Sequence, residues 1–192
     1  MLTPSKKKSI LFKQIDNFFE DPQSVVELSQ SLDYFGYDDN QGYGVSSGRY
    51  AGKRTNELHL ISPDFFSYAS NKIAESVYGF SKIPNLERCT WRCSMYFSLL
   101  MSNDKPSKDS PIKLVHQDSG VDRAGLVYLS KRINQRAGTS FYDSNQRRIK
   151  EAKNKYNRLI TYEGSNLHSI SKFVDNRLVL LFFFKGVKHI YV

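Results

Sequence analysis

Apolar and polar positions change their period about midway along this chain. Up to about residue 88 the strongest signal is helical. Asp21-Pro22 ahead of QSVVELSQSL supplies an N-cap acceptor and a proline with preset φ, opening an amphipathic helix that reaches about Leu32. Ser62-Pro63 ahead of DFFSYASNKIAESVYGF repeats the device, with Phe66, Ala69, Ile73 and Val77 at helical spacing. Between the two, Gly36 to Arg54 is rich in Gly, Tyr, Ser and Asn and predicts a long ordered loop. Such loops in compact domains are often functional.

From about Arg88 the segments become short and rich in β-branched and aromatic residues, with turn chemistry between them. CTWRCSMYFSLL, IKLVHQD, AGLVYLS, GTSFYD, NRLITYE and NRLVLLFFF each predict a strand, and VKHIYV predicts a short final strand closing an edge. Helices followed by a run of strands describe a mainly β protein of the α+β class, a curled sandwich or small barrel backed by its N-terminal helices. Trp91 and the run Phe182 to Phe184 read as core.

Composition narrows the class. The 192 residues read as one domain, with about 1–88 as helical support and loop and about 89–192 as the β core. The longest apolar run, Leu178 to Phe184, is far short of the ~20 residues of a membrane helix. MLTPSKKKSILFK carries lysines with no apolar stretch behind them, so an unprocessed cytoplasmic protein without membrane association is expected. Cys89 and Cys93, four apart on one predicted strand face, are badly placed to bond each other and too few for zinc. Both read as packing residues.

The net charge of +9 and pI of about 9.5 suit an acidic partner, nucleic acid included. Part of the excess sits in RRIKEAKNKYNR, Arg147 to Arg158, which reads as a solvated helix or loop, with a phosphate-binding surface or a lid over a site as alternatives.

Candidate chemistry begins at LVHQDSG. His116 and Asp118 are two apart at the end of an apolar run, and on a strand such residues share a face, so both can reach one point. Three strand-like segments later comes a lone histidine, His168, in the loop SNLHS, and nine residues beyond it Arg177 opens a buried-looking strand. A near-identical opening at Asn157-Arg158-Leu159 lies before His168; Arg158 reads as structural or substrate-facing. His59 and His189 lack a ligand-spaced companion and read as surface or packing residues.

This order of parts resembles the 2-oxoglutarate and Fe(II)-dependent oxygenase superfamily, whose double-stranded β-helix, a jelly-roll or cupin-like fold, holds an HxD…H triad. FKQIDNFFEDPQSVVELSQSL looks like the opening of its prolyl-hydroxylase-like members. RYAGKRTNEL and the run from AGLVYLS to NRLITYEGSNLHS look like uncharacterised bacterial and phage relatives. The resemblance implies that His116, Asp118 and His168 ligate Fe(II), a set that leaves three positions open for a 2-oxo acid and O2. It implies that Arg177 forks onto the distal carboxylate of 2-oxoglutarate. Many members place a Ser or Thr two residues beyond this arginine; here Val179 stands there, and Tyr96, Ser98 or Tyr128 is expected to supply the hydroxyl.

The implied reaction is decarboxylation of 2-oxoglutarate to succinate and CO2 coupled to hydroxylation of a C–H bond. A protein side chain such as proline is the first expectation for the substrate and a modified nucleobase the second. The loop Gly36–Arg54, with Arg49, Lys53 and Arg54, is expected to border the cleft. Two other classes remain open: a non-catalytic, basic nucleic-acid-binding β-sandwich, and a cupin-like metal enzyme that does not use 2-oxoglutarate.

Overall fold

A computed structural model describes residues 12–36, 50–79, 89–105, 114–132 and 134–189. In chain order the elements are β1 (Phe12–Ile15), α1 (Pro22–Gln30), β2 (Phe35–Gly36), β3 (Lys53–Arg54), α2 (Leu58–Ile61), α3 (Pro63–Tyr78) and β4 (Cys89–Leu100). Then follow β5 (Arg123–Tyr128), β6 (Thr139–Tyr142), β7 (Arg148–Ala152), β8 (Arg158–Glu163), β9 (His168–Ile170) and β10 (Arg177–His189). Seven strands form one antiparallel sheet in the order β1-β8-β5-β10-β4-β3-β2, and three form a second in the order β7-β6-β9.

The helices start largely as the sequence predicts. Asp21 caps α1 by accepting from the amides of Gln23 and Ser24 at 3.1 and 3.2 Å, with Pro22 at its first turn. At α3 only the proline acts. The side chain of Ser62 makes no cap bond, and its amide closes α2 on the Leu58 carbonyl at 2.8 Å.

The larger sheet is apolar on both faces, and strand alternation sorts the two sets. Met95, Phe97, Val127, Leu159, Leu180, Phe182 and Phe184 face the helices and pack with Val25, Val26, Ala69 and Ile73. Leu126, Tyr128, Ile160, Tyr162 and Val179 face the smaller sheet, with Phe141 and Ala152. Trp91 and Cys93 are half-buried against the helix-side core, whose desolvation pushes the Cys93 thiol up to about 12. Phe183 departs from the expected run of core residues: it turns to the opposite face from its neighbours and lines the space between the sheets.

Four expectations change. Of IKLVHQD, the described residues 114–118 make one isolated bridge rather than a regular strand, because only His116 finds a rung. His168 is not in a loop; it begins β9, paired to Phe141 on one side and His116 on the other. The first part of the basic stretch is not helix or loop but the strand β7, hydrogen-bonded along β6, while residues 153–157 form the loop that leads into β8. The described part of VKHIYV, residues 187–189, is not a separate strand: β10 runs on through a bulge between Lys185 and Lys188 and stays paired with β4 to His189, and residues 190–192 lie outside the described residues. Most of the loop Gly36–Arg54, including Arg49, lies outside the described residues, as do the side chains of Cys89 and His189. Among the described residues no helix is long and apolar enough to cross a membrane.

The twin NRL openings now have a geometric reason. Asn157 and Asn176 both adopt φ of +56°, a left-handed conformation that asparagine tolerates, and each turns the chain into a long strand. The arginines that follow differ in partners. Arg158 forks onto Asp16 through Nε and Nη2, at 2.5 and 3.0 Å, and Lys155 reaches the same carboxylate at 2.8 Å. These contacts pin the end of β1 to β8, and the Arg158 and Lys155 hydrogen bonds hold the Asp16 carboxyl well below the usual carboxylate range.

A depressed folded-state pKa contributes stability above the unfolded value of ~3.9 that is lost as the pH falls below it. Asp16→Asn is therefore expected to cost about 1 kcal/mol at neutral pH, the exposure of the pair limiting the effect. In urea titrations the gap from wild type closes as the pH drops from ~5 towards ~2; a gap constant with pH contradicts the assignment.

Candidate metal centre and active-site cavity

Two backbone hydrogen bonds assemble the centre. The His116 amide donates to the His168 carbonyl at 3.0 Å and the His168 amide donates back at 2.9 Å, bringing the two rings to a centroid separation of 4.4 Å. One step on, the Asp118 amide donates to the Gly164 carbonyl at 2.9 Å. Only glycine fits there, since a Cβ at 164 would lie 2.2 Å from the Val121 carbonyl oxygen and 2.8 Å from that of Asp118. The Asp118 carboxylate then stands 3.8 Å from His116 Nε2 and 3.5 Å from His168 Nε2. One donor atom from each of the three residues falls within 4.8 Å of the others.

Protonation follows from the partners. Nδ1 of His168 lies 2.9 Å from the Asn166 carbonyl, and Nδ1 of His116 lies 3.2 Å from that of Leu114. A carbonyl only accepts, so both Nδ1 atoms carry hydrogen and the Nε2 atoms are the ones that face Asp118. Burial holds the His168 pKa below the ordinary histidine value, although Asp118 pulls the other way, so its imidazole is neutral near pH 7. Asp118 Oδ2 is sealed from solvent and accepts no hydrogen bond. An unsatisfied carboxylate oxygen between two imidazole nitrogens fits a divalent transition metal, and the mixed N2O set matches Fe(II) with open positions.

The centre lies on a cavity of about 300 Å³ between the two sheets. Arg177, at the start of the central strand β10, faces it with 2% of its surface exposed. Its Nε donates to the Ala137 carbonyl at 2.8 Å, and its guanidinium lies 5.4 Å above the Tyr128 ring. Nη2 is sealed without an acceptor, and among the described residues no carboxylate pairs with it. Burial lowers its pKa, yet a guanidinium starts so high that it stays charged.

The three candidate hydroxyls divide. Ser98 lines the cavity. Tyr128 sits beneath Arg177 with its hydroxyl 2.9 Å from that of Thr139. Tyr96 gives its hydrogen to Glu57 at 2.5 Å and is not among the residues lining the cavity. Thr139 and Tyr162, which the sequence reading missed, both line it, and the buried Tyr162 ring lies 4.6 Å from that of His168. Tyr162 was legible as the outward partner of Ile160 in RLITYE; Thr139 carried no signal. Of the Gly36–Arg54 loop, Tyr50, Ala51 and Arg54 border the cavity and Lys53 is exposed. No residue of the basic stretch 147–158 lines it, since β7 occupies the outer edge of the smaller sheet. His59 is a surface residue paired with Glu57 at 2.7 Å.

No protein-family model matches this chain, and no curated protein does. Solved structures do. A prolyl hydroxylase from Trichoplax adhaerens, in complex with a hypoxia inducible factor oxygen degradation domain peptide fragment, superposes with a TM-score of 0.60 at 15% identity, covering 92% of this chain and 84% of that one. The non-heme alpha-ketoglutarate-dependent epimerase SnoN from nogalamycin biosynthesis gives 0.62 at 11% identity, covering 95% and 81%. HygX from Streptomyces hygroscopicus, with nickel and 2-oxoglutarate bound, gives 0.57 at 12%, covering 93% and 84%.

The fold is that of the 2-oxoglutarate/Fe(II) oxygenases. It is mainly β, a double-stranded β-helix backed by helices, as expected from the sequence.

If the three donors share an ion, anaerobic calorimetry is expected to find one tight Fe(II) or Co(II) site per chain, and Asp118→Ala to weaken it by about 100-fold or more. Affinity falls as the pH is lowered, because protons compete with the ion for its ligands. An Asp118→Ala affinity equal to wild type excludes the centre.

Proposed function

We propose that this protein is an Fe(II)- and 2-oxoglutarate-dependent dioxygenase that hydroxylates a substrate C–H bond while 2-oxoglutarate is converted to succinate and CO2. The observation that carries this reading is Arg177. A buried guanidinium with an unsatisfied Nη2 and no carboxylate among the described residues is costly unless an anion completes it. It faces the same cavity as the His116, Asp118 and His168 donors.

Fe(II) held by those three residues would supply O2 activation together with the 2-oxo acid. The chain's own residues do the rest. Arg177 forks onto the distal carboxylate and fixes its direction, and Ser98 and Thr139 line the same cavity with the hydroxyls that Val179 lacks. Leu126, Val179, Leu181 and Phe183 line the cavity with apolar surface, keeping water away and strengthening the ionic contact. Backbone-bound Nδ1 atoms keep both imidazoles oriented.

A protein side chain such as proline is the proposed substrate, supported by the likeness to the peptide-bound Trichoplax structure and by a net charge suited to an acidic partner.

The test is anaerobic addition of 2-oxoglutarate to the Fe(II)-loaded protein, watching for the weak visible charge-transfer band of a bidentate chelate. Wild type is expected to show it, and Arg177→Met to raise the 2-oxoglutarate concentration needed by about 10²–10³-fold, as loss of one partner of a buried charge pair predicts. Turnover undiminished in Arg177→Met points instead to a metal enzyme that does not use 2-oxoglutarate. The same variant is expected to leave the ligand-free protein at least as stable as wild type, because it removes an unpaired buried charge; a loss above about 2 kcal/mol in urea unfolding contradicts this.

A further inference from the structure

We infer that Arg54 is a second anion anchor and that the substrate presents it a carboxylate. This rests on the dioxygenase reading, in which Arg177 is committed to the cosubstrate. Arg54 lies across the cavity wall from β10: on the larger sheet it pairs with Ser98, whose other neighbour is Val179.

Its placement is rigid. Gly52, at φ +77°, turns the chain where a Cβ would come within 2.5 Å of the Leu99 carbonyl oxygen, so β3 lies hard against β4. Just beyond Arg54, the Thr55 amide donates to the Phe97 carbonyl at 3.0 Å and its hydroxyl accepts from the Phe97 amide at 3.2 Å. The guanidinium is stacked 4.1 Å over the Tyr50 ring, with Tyr96 at 5.8 Å. Its Nε is sealed from solvent without an acceptor, and no carboxylate among the described residues pairs with it.

The contrast with Arg158 is instructive. That guanidinium is satisfied by a forked carboxylate of the protein and lies away from the cavity. The two facing the cavity, Arg54 and Arg177, have no such partner among the described residues. Arg54 lines the same cavity as His116, Asp118 and His168, so an anion held there shares the space of those donors. A planar carboxylate matches the guanidinium fork.

The test follows the Nε–H resonances of Arg54 and Arg177 by NMR in protein loaded with Zn(II), a diamagnetic stand-in. Adding 2-oxoglutarate is expected to move Arg177; then sodium propionate, titrated to about 50 mM to span the affinity of one ionic fork, moves Arg54 downfield and saturates. Propionamide does not. Arg54→Gln identifies the resonance by its loss. An Arg54 signal that stays still, or follows propionamide equally, overturns the substrate assignment while leaving a shifted Arg177 intact. A still Arg177 overturns the dioxygenase reading and this inference with it. Free L-proline and acetyl-glutamyl-proline amide, compared in the same titration, separate the two sources: the lower midpoint shows whether the carboxylate belongs to a small acid or to an acidic side chain.

Discussion

Everything at the site depends on one pair of backbone hydrogen bonds, those exchanged by His116 and His168. The residues are far apart in sequence, and among the described residues the rung between them is isolated on the His116 side. It sets the separation of the imidazoles. The following bond from Asp118 to Gly164 then brings the carboxylate alongside. Three donor side chains held by main-chain bonds are positioned without any ion, the kind of preorganisation a metal site needs.

The second organising theme is how a β protein keeps guanidinium groups inside. An interior cation is tolerable only when paired or strongly hydrogen-bonded. Arg158 is paired and serves the fold, tying β1 to β8. Arg177 has one carbonyl, one aromatic face and an unsatisfied nitrogen. Arg54 has aromatic faces and an unsatisfied nitrogen. Among the described residues, a carboxylate partner separates Arg158 from the two arginines that face the cavity.

Both uses fit in one sheet because strands alternate. Along β10, Leu180, Phe182 and Phe184 anchor the helices while Val179, Leu181 and Phe183 wall the cavity. A continuous apolar run therefore serves two packing layers, which is why it gives no sign from composition alone of which residues border a site.

Much of this was legible from residues alone. Helix starts at Pro22 and Pro63, the strand-rich second half and the candidate set His116, Asp118, His168 and Arg177 all follow from local pattern, spacing and family likeness, because capping and alternation are written within a few neighbouring residues. Tertiary structure alone decided the rest. It made His168 a strand residue, turned the first part of the basic stretch into β7, assigned Asp16 to Arg158, and left Arg54 and Arg177 facing a shared cavity. Partnership of a charge is a property of folded distance, and residues 16 and 158 carry no mark in the sequence that they meet.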